Sequence, residues 1–238
     1  MEPLKITFKF ASPLLRDSER PIHLDALLAH SLMREHEQLG TPNAWRASDD
    51  LSGLLERTSP DHESGWVWKA SMLQFKVALA REWVNQVRRC DPEQVYKDLG
   101  VFWVGKGTQN EEGVGDRYTV DTGSGQLRGY QWLNSTQWMD SAQAWAIGDK
   151  DALEHYLSMI SYVGKKGANG FGVVKSIAVE SAPADERDNW MIRTLPDGLP
   201  GKSGLQYEPV AACLRAPYWN KLNRVIASEP VFLALSER

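Results

Sequence analysis

The sequence predicts an α+β domain whose strands and helices follow the order β-α-β-β-α-β. Apolar and polar residues alternate over 4–10, which is typical of a half-buried strand. Apolar residues recur at helical spacing over 24–38 and again over 150–162. Strand-like segments lie between these two helices and after the second one, and the resulting order is the ferredoxin-like or RRM-like plan.

The first half of the chain supplies the first strand, the first helix and a polar stretch. A charged loop is expected at 14–21, before the helix at 24–38. We expect a short helix at 49–57 and a second strand at 65–75, where tryptophans alternate with polar residues. The pattern at 77–89 fits either a continued strand or a helix, and it leaves both open.

The second half supplies the remaining strands and the second helix. Strands are expected at 127–147, the helix at 150–162 has Asp149 as its N-cap, and a strand follows at 171–180. Seven glycines within 105–129 predict a long loop or a loose hairpin inserted into the domain. The domain therefore covers 1–180. A Pro-rich, irregular extension at 181–238 packs on it, with candidate strands near 189–194 and 207–214.

Composition limits the class of protein. Hydrophobic residues make up 42% of the 238 residues, which is sufficient for a core. The two cysteines lie far apart and form no C-x2-C pair, so neither a disulfide framework nor a zinc site is expected, and no cofactor or metal is implied. The start of the chain has neither a signal-peptide nor an anchor pattern, and the expected location is the cytoplasm.

The charge is unevenly distributed. A net charge of −4 weighs against a free-standing nucleic-acid binder. Residues 65–90 nevertheless carry five basic and one acidic side chain, and residues 201–224 carry four basic and one acidic. Two interpretations fit: basic patches that hold nucleic acid on an acidic body, or an ordinary mixed surface.

Tryptophan is abundant, with ten residues in the chain. Most are expected in the core, and a few are candidates for interface anchors or base-stacking platforms. Tyr130 and Trp132 are candidates for stacking, although core packing is the expected role.

The most distinctive motif is a glycine loop at 164–172. Gly164, Gly170 and Gly172 form the pattern G-x5-G-h-G, where h is apolar, and Lys165, Lys166 and Asn169 lie between them. Glycine lets a ligand approach the backbone and lysine suits phosphate, so one interpretation is a cradle for a polyanion. The other is a helix C-cap followed by a turn into a strand. The register excludes a Walker loop, and the order helix-loop-strand excludes a dinucleotide-binding fingerprint.

This motif, placed between the last helix and the last strand, resembles that of the RAMP superfamily of CRISPR-associated proteins. The family pattern often has another glycine two residues upstream, where this chain has Tyr162. Two further segments add to the resemblance: Pro21-Ile22-His23-Leu24-Asp25-Ala26-Leu27-Leu28-Ala29, and Arg215-Ala216-Pro217-Tyr218-Trp219. Together they are most similar to the small subunit of type IV (Class 1) effector complexes, which caps the 5′ handle of the CRISPR RNA.

The resemblance implies a non-catalytic RNA-binding subunit in antiviral or anti-plasmid interference. Its partners would be the 5′ handle of the CRISPR RNA, the backbone RAMP subunits, the large subunit and target DNA near the guide 5′ end. One alternative is a metal-independent endoribonuclease of the same superfamily, with His23 transferring protons. The other is an assembly subunit that contacts only proteins.

The site residues follow from the motif and the resemblance. In the glycine loop we expect RNA contacts from Lys165, Lys166, Gly167, Asn169 and Gly170. A second contact would come from the loop after the first strand, through His23, Arg16 and Arg20. Lys106 and Arg128 frame the glycine-rich insertion, which would act as a thumb against RNA or a neighbouring subunit. In the tail, packing rather than a site is expected for Arg215, Tyr218 and Trp219.

Overall fold

The computed structural model describes residues 1–15, 21–59, 65–89, 128–218 and 220–231. These residues form an α+β structure with antiparallel sheets and two α-helices, which confirms the predicted fold class. The helices are α1 (Leu24–Gln38) and α2 (Lys150–Ser158). The strands are β1 (Glu2–Phe10), β2 (Leu14–Leu15), β3 (Gln74–Arg88), β4 (Tyr130–Gly148), β5 (Val174–Ser181), β6 (Leu195–Pro196), β7 (Tyr207–Cys213) and β8 (Arg224–Pro230).

The larger sheet carries the predicted topology. Its path is β2-β4-β1-β5, and β3 also pairs with β4. With the two-residue β2 set aside, the elements run β1-α1-β3-β4-α2-β5, which is the β-α-β-β-α-β plan. The central strand β1 pairs antiparallel with both β4 and β5, so the strands immediately before and after α2 lie on either side of the first strand.

Both helices contribute to the core that includes the inward face of β1. The alternation along β1 places Leu4, Ile6 and Phe8 at 0% exposure. In the same core cluster α1 buries Leu24 and Leu28 at helical spacing, and α2 adds two further leucines. Burying one such side chain contributes about 1.5–3 kcal/mol, so this single layer stabilises the sheet and positions the ends of both helices.

Local signals explain where the helices begin and end. The side chain of Asp149 accepts a hydrogen bond from the backbone N–H of Ala152 at 2.9 Å, which confirms the predicted N-cap of α2. The helix ends at Ser158, earlier than predicted, because the chain then pairs with the strand that follows. There the Val163 N–H donates to the Gly172 carbonyl at 2.8 Å.

Three predicted elements are wrong. The segment 65–73 forms isolated bridges, such as Arg57↔Trp68 and Ala70↔Ala146, instead of a strand. The short helix predicted at 49–57 is replaced by a 3-10 helix at Ala44–Asp49. The candidate strand near 189–194 begins within another 3-10 helix, Ala184–Met191. The open choice at 77–89 is settled as strand β3, and the strand expected near 207–214 is found as β7.

The C-terminal tail forms a second antiparallel sheet in the order β6-β8-β7. Its core includes Val67, Ile147, Trp190 and Leu195, so residues from the first sheet and from the 65–73 segment share it. The tail is therefore packed on the domain along apolar surface.

Contacts divide the chain into two compact units. One unit holds 1–81 and 137–238, and the other holds 82–136. Within the second unit, the Thr136 hydroxyl donates to the Glu82 carbonyl at 3.3 Å. Most of the predicted insertion at 105–129 lies outside the described residues.

Candidate nucleic-acid interface

The base of the glycine loop is held by backbone hydrogen bonds. The Gly172 carbonyl accepts from the Val163 N–H at 2.8 Å, and the Val174 N–H donates to the Ser161 carbonyl at 3.0 Å. Gly172 has φ +63°, and a Cβ built there would lie 2.0 Å from the Val163 carbonyl oxygen. Only glycine fits that position without a shift of the backbone, so the loop is anchored where it meets β5.

The tip of the loop is a tight turn. Lys166 has φ +57°, and the following residues form a one-turn 3-10 helix, Gly167–Asn169. The Asn169 N–H donates to the Lys166 carbonyl at 2.9 Å, and the Gly170 N–H donates to the Gly167 carbonyl at 2.8 Å. The Gly170 N–H that we expected to face a ligand is thus already engaged inside the turn.

The side chains of the tip face outward. Lys165 and Asn169 are exposed, and Lys166 is half-buried. The loop also lies against the segment that follows β1, because the Gly172 N–H donates to the Pro13 carbonyl at 2.9 Å. Arg16 and Arg20 continue from that segment but lie outside the described residues. Of the sequence-predicted lysines and asparagine, Lys165 and Asn169 are therefore accessible, and Lys166 is partly so.

His23 does not lie in an exposed loop, and that prediction is wrong. Its side chain is 4% exposed, and its ring stacks on Tyr218 with centroids 4.6 Å apart. The bridge between His23 and Met72, and a hydrogen bond from the Leu24 N–H to the Ser71 carbonyl at 3.0 Å, draw the residue inward. Burial, followed by the charge of Arg193, lowers the pKa of His23 well below its ordinary value, so the ring is neutral at pH 7.

Beside His23 lies a buried polar group that we call the Arg193 cluster: Asp25, Arg193, Tyr218 and the carbonyls of Trp68, Ala70 and Leu214. The Arg193 side chain is 0% exposed. Its Nη1 donates to the Trp68 carbonyl at 2.6 Å and to the Ala70 carbonyl at 2.9 Å. Its Nη2 donates to the Leu214 carbonyl at 2.7 Å and lies 3.4 Å from Asp25 Oδ2.

Tyr218 completes the cluster. Its hydroxyl donates to Asp25 Oδ2 at 2.8 Å and accepts from Arg193 Nη2 at 2.9 Å. Burial raises the pKa of Asp25, against the charge of Arg193, and it raises the pKa of Tyr218 well above its ordinary value. These contacts join the start of α1, the 65–73 segment and the tail, so the cluster is structural, and the expected packing of Tyr218 in the tail is confirmed.

Sequence reasoning missed Arg193. The sequence does contain a feature that could have identified it. Arg193 is the only charged residue in the largely apolar run Trp190-Met191-Ile192-Arg193-Thr194-Leu195. A charge in such a run requires either exposure or a buried partner of opposite charge. Asp25, at the start of an apolar helix, is the matching acid.

The tail also places Arg215 on an aromatic platform. The Arg215 guanidinium lies 3.8 Å from the centre of the Trp66 ring, and Arg57 lies 5.6 Å from the same ring. Trp66 in turn packs edge-on against Trp68, with centroids 4.9 Å apart. This cation–π arrangement fixes the tail on the 65–73 segment and agrees with the packed role expected for Arg215.

The remaining predicted contacts lie elsewhere. Arg128 is exposed and belongs to the 82–136 unit, whereas Lys106 and Trp219 lie outside the described residues.

Core packing was the wrong expectation for Trp132, which is 54% exposed. The expectation that most tryptophans are buried is also wrong for the described ones. Trp68, Trp145 and Trp190 are buried, but Trp45, Trp83 and Trp132 are more than half exposed.

Two further observations concern the described residues only. They contain no group of three or more His, Cys, Asp or Glu side chains placed to hold a metal ion. Neither α1 nor α2 has the length and apolar character that a membrane-spanning helix requires.

Comparison with known proteins gives one result. A family model described as "CRISPR type IV associated protein Csf3" matches residues 2–230 of the chain. No curated protein matches the sequence.

Proposed function

The chain belongs to the Csf3 family of CRISPR type IV associated proteins, and from that premise we propose that it is an RNA-binding subunit of a type IV effector complex. In this role it holds the 5′ handle of the CRISPR RNA and caps the filament of backbone subunits. In RNA-guided complexes base pairing reads the target, while protein holds the guide through its shape and backbone. The large subunit and target DNA near the guide 5′ end are its further partners.

The observation that carries this proposal is the construction of the glycine loop. Its base is fixed by the Val163–Gly172 hydrogen bond, and its tip exposes Lys165 and Asn169 and leaves Lys166 half-buried. A rigid base lowers the entropy lost on binding, and lysines attract phosphate. The loop also contacts the described end of the segment after β1, through the hydrogen bond from the Gly172 N–H to the Pro13 carbonyl.

We propose that the subunit binds RNA without cutting it. The candidate for proton transfer was His23, and its side chain is 4% exposed, stacked on Tyr218 and neutral at pH 7. A general acid or base must reach the reacting atoms, and this histidine is covered. Incubation of the purified protein with a repeat RNA in EDTA is expected to leave the RNA intact, and a single specific cut would favour the endoribonuclease.

Large exposed apolar residues favour a second candidate function, a role in assembly through contacts with proteins. In the 82–136 unit Trp83 is 64% exposed, Trp132 54% and Leu133 66%. Large exposed apolar side chains are common anchors in protein interfaces. If the complex is washed in high salt and loses its RNA but keeps its protein partners, that outcome would favour the assembly role.

The loop lysines provide the direct test. We expect Lys165→Ala with Lys166→Ala to weaken binding of a handle RNA and to reduce the slope of log Kd against log salt by about 1.4, since each phosphate contact to a single strand contributes about 0.7. Fluorescence anisotropy at several salt concentrations measures both. Lys150→Ala with Arg187→Ala removes the same charge elsewhere and should leave the slope unchanged. Equal slopes for the loop variant and the native protein would contradict the proposal.

A further inference from the structure

Tyr162 stands at the entrance to the glycine loop, at the position where the superfamily pattern often has glycine. Its backbone pairs with Val173 in an antiparallel bridge. The Val163–Gly172 and Ser161–Val174 hydrogen bonds lie on either side of that bridge. The residue is therefore fixed in the anchored base of the loop, yet it is 47% exposed.

The tip of the loop returns over the Tyr162 ring. A Cβ built on Gly167 would lie 2.0 Å from Cδ2 and 2.1 Å from Cγ of that ring. Gly167 does not have a positive φ, so the ring and not the backbone conformation requires glycine there. The loop backbone covers part of the ring and fixes its orientation, and the exposed part of the side chain remains open to a ligand.

The residues that precede Gly167 indicate the chemical class of this ligand. Lys165 and Lys166 immediately precede Gly167, the residue that lies against the ring, so the loop segment at the ring carries two positive charges. Lysines next to an exposed ring of fixed orientation match the two parts of a nucleotide, because phosphate pairs with the cations and the base stacks on the ring. A hydrophobic protein segment would gain nothing from the two lysines.

We propose that Tyr162 is a stacking platform for one nucleobase of the bound RNA, with Gly167 as the residue that positions the ring. This inference rests on the RNA-binding function proposed above and assigns a contact to a residue outside the glycine pattern. Stacking tolerates any base, because every base has a π-face. Tyr162 therefore contributes affinity for single-stranded RNA with little preference for sequence.

The test compares substitutions at Tyr162 by fluorescence anisotropy with a labelled single-stranded RNA of the repeat-derived handle sequence. Tyr162→Ala is expected to raise Kd by about 5- to 140-fold, the equivalent of one stacked base. The dependence of log Kd on log salt should stay unchanged, since no charge is removed. Tyr162→Phe keeps the ring and should bind within about twofold of the native protein.

Tyr162→Leu separates stacking from support of the loop. Leucine fills the space under Gly167 without a flat aromatic face, so it should lose affinity nearly as far as alanine. Native affinity in Tyr162→Leu, or in Tyr162→Ala, would overturn the inference, as would equal losses in the phenylalanine and alanine variants. If Lys165→Ala with Lys166→Ala weakens binding while Tyr162→Ala does not, only this inference fails. If the native protein does not bind RNA at all, the proposed function fails with it.

Discussion

The Arg193 cluster and the glycine loop use positive charge in opposite ways. Arg193 is fully buried, and each of its side-chain nitrogens donates a hydrogen bond to protein. Lys165 is exposed at the tip of a loop whose backbone bonds to itself. The first arrangement buries a cation and joins distant segments, whereas the second leaves Lys165 exposed on a backbone that is fixed by its own hydrogen bonds.

This difference predicts two kinds of variant. A substitution in the Arg193 cluster should lower the free energy of unfolding. The protein that remains folded should bind RNA with an unchanged dependence of log Kd on log salt. A substitution of the loop lysines should change the salt dependence of RNA binding and leave the free energy of unfolding nearly constant, since exposed positions contribute within about 0.5 kcal/mol.

The largest expected effect comes from Arg193→Leu. The change leaves Asp25 buried without its cation and removes the hydrogen bonds that the guanidinium donates to the carbonyls of Trp68 and Leu214. Breaking a buried pair in this way costs about 3–5 kcal/mol. Urea denaturation followed by tryptophan fluorescence measures the loss.

A matched control is Arg187→Leu, because Arg187 is exposed and precedes Arg193 in the same segment. It should change the free energy of unfolding by no more than about 0.5 kcal/mol. A loss in Arg193→Leu of less than about 1 kcal/mol would mean that the cluster does not hold the tail and α1 together.

A smaller effect distinguishes the base of the glycine loop from its tip. Gly172 and Gly170 both have positive φ, but only at Gly172 would a Cβ meet the backbone, 2.0 Å from the Val163 oxygen. We expect Gly170→Ala to cost about 1 kcal/mol and Gly172→Ala about 2–3 kcal/mol, because strain and overlap add at the second position. Thermal denaturation of the two variants side by side measures the difference, and equal losses would show that the base is no more rigid than the tip.

Local patterns predicted the fold well because they are carried by neighbouring residues. The alternation in β1, the leucine spacing in α1 and the Asp149 cap each depend on a few adjacent side chains, and all three agree with the structure. The same reasoning gave a wrong prediction for the segment 65–73. Its alternation is real, but its backbone pairs in turn with Arg57, Ala146 and His23, so no continuous strand forms.

The candidate site was likewise predictable from the sequence only where it depends on neighbouring residues. The two lysines of the glycine loop follow from a local motif, whereas the burial of His23 depends on Ser71, Met72 and Tyr218, which are distant in sequence. Arg193 and Asp25 are 168 residues apart, and their pairing is a tertiary contact that local periodicity does not encode. The role of Tyr162 depends on the close approach of Gly167, which becomes visible only when the loop is folded.

The smallest effect that we predict is a pH dependence at the edge of the Arg193 cluster. Burial and Arg193 lower the pKa of His23 in the folded protein, so the unfolded chain binds the proton first as the pH falls below about 6.5. The free energy of unfolding should therefore decrease through this one group as the pH falls from 7.5 to 5.5. His23→Phe keeps a flat ring against Tyr218 and removes the titration, so its stability should vary less over that range. Because Asp25 is present in both proteins, the difference between the two pH profiles isolates His23, and identical profiles would mean that the ring accepts a proton in the folded state.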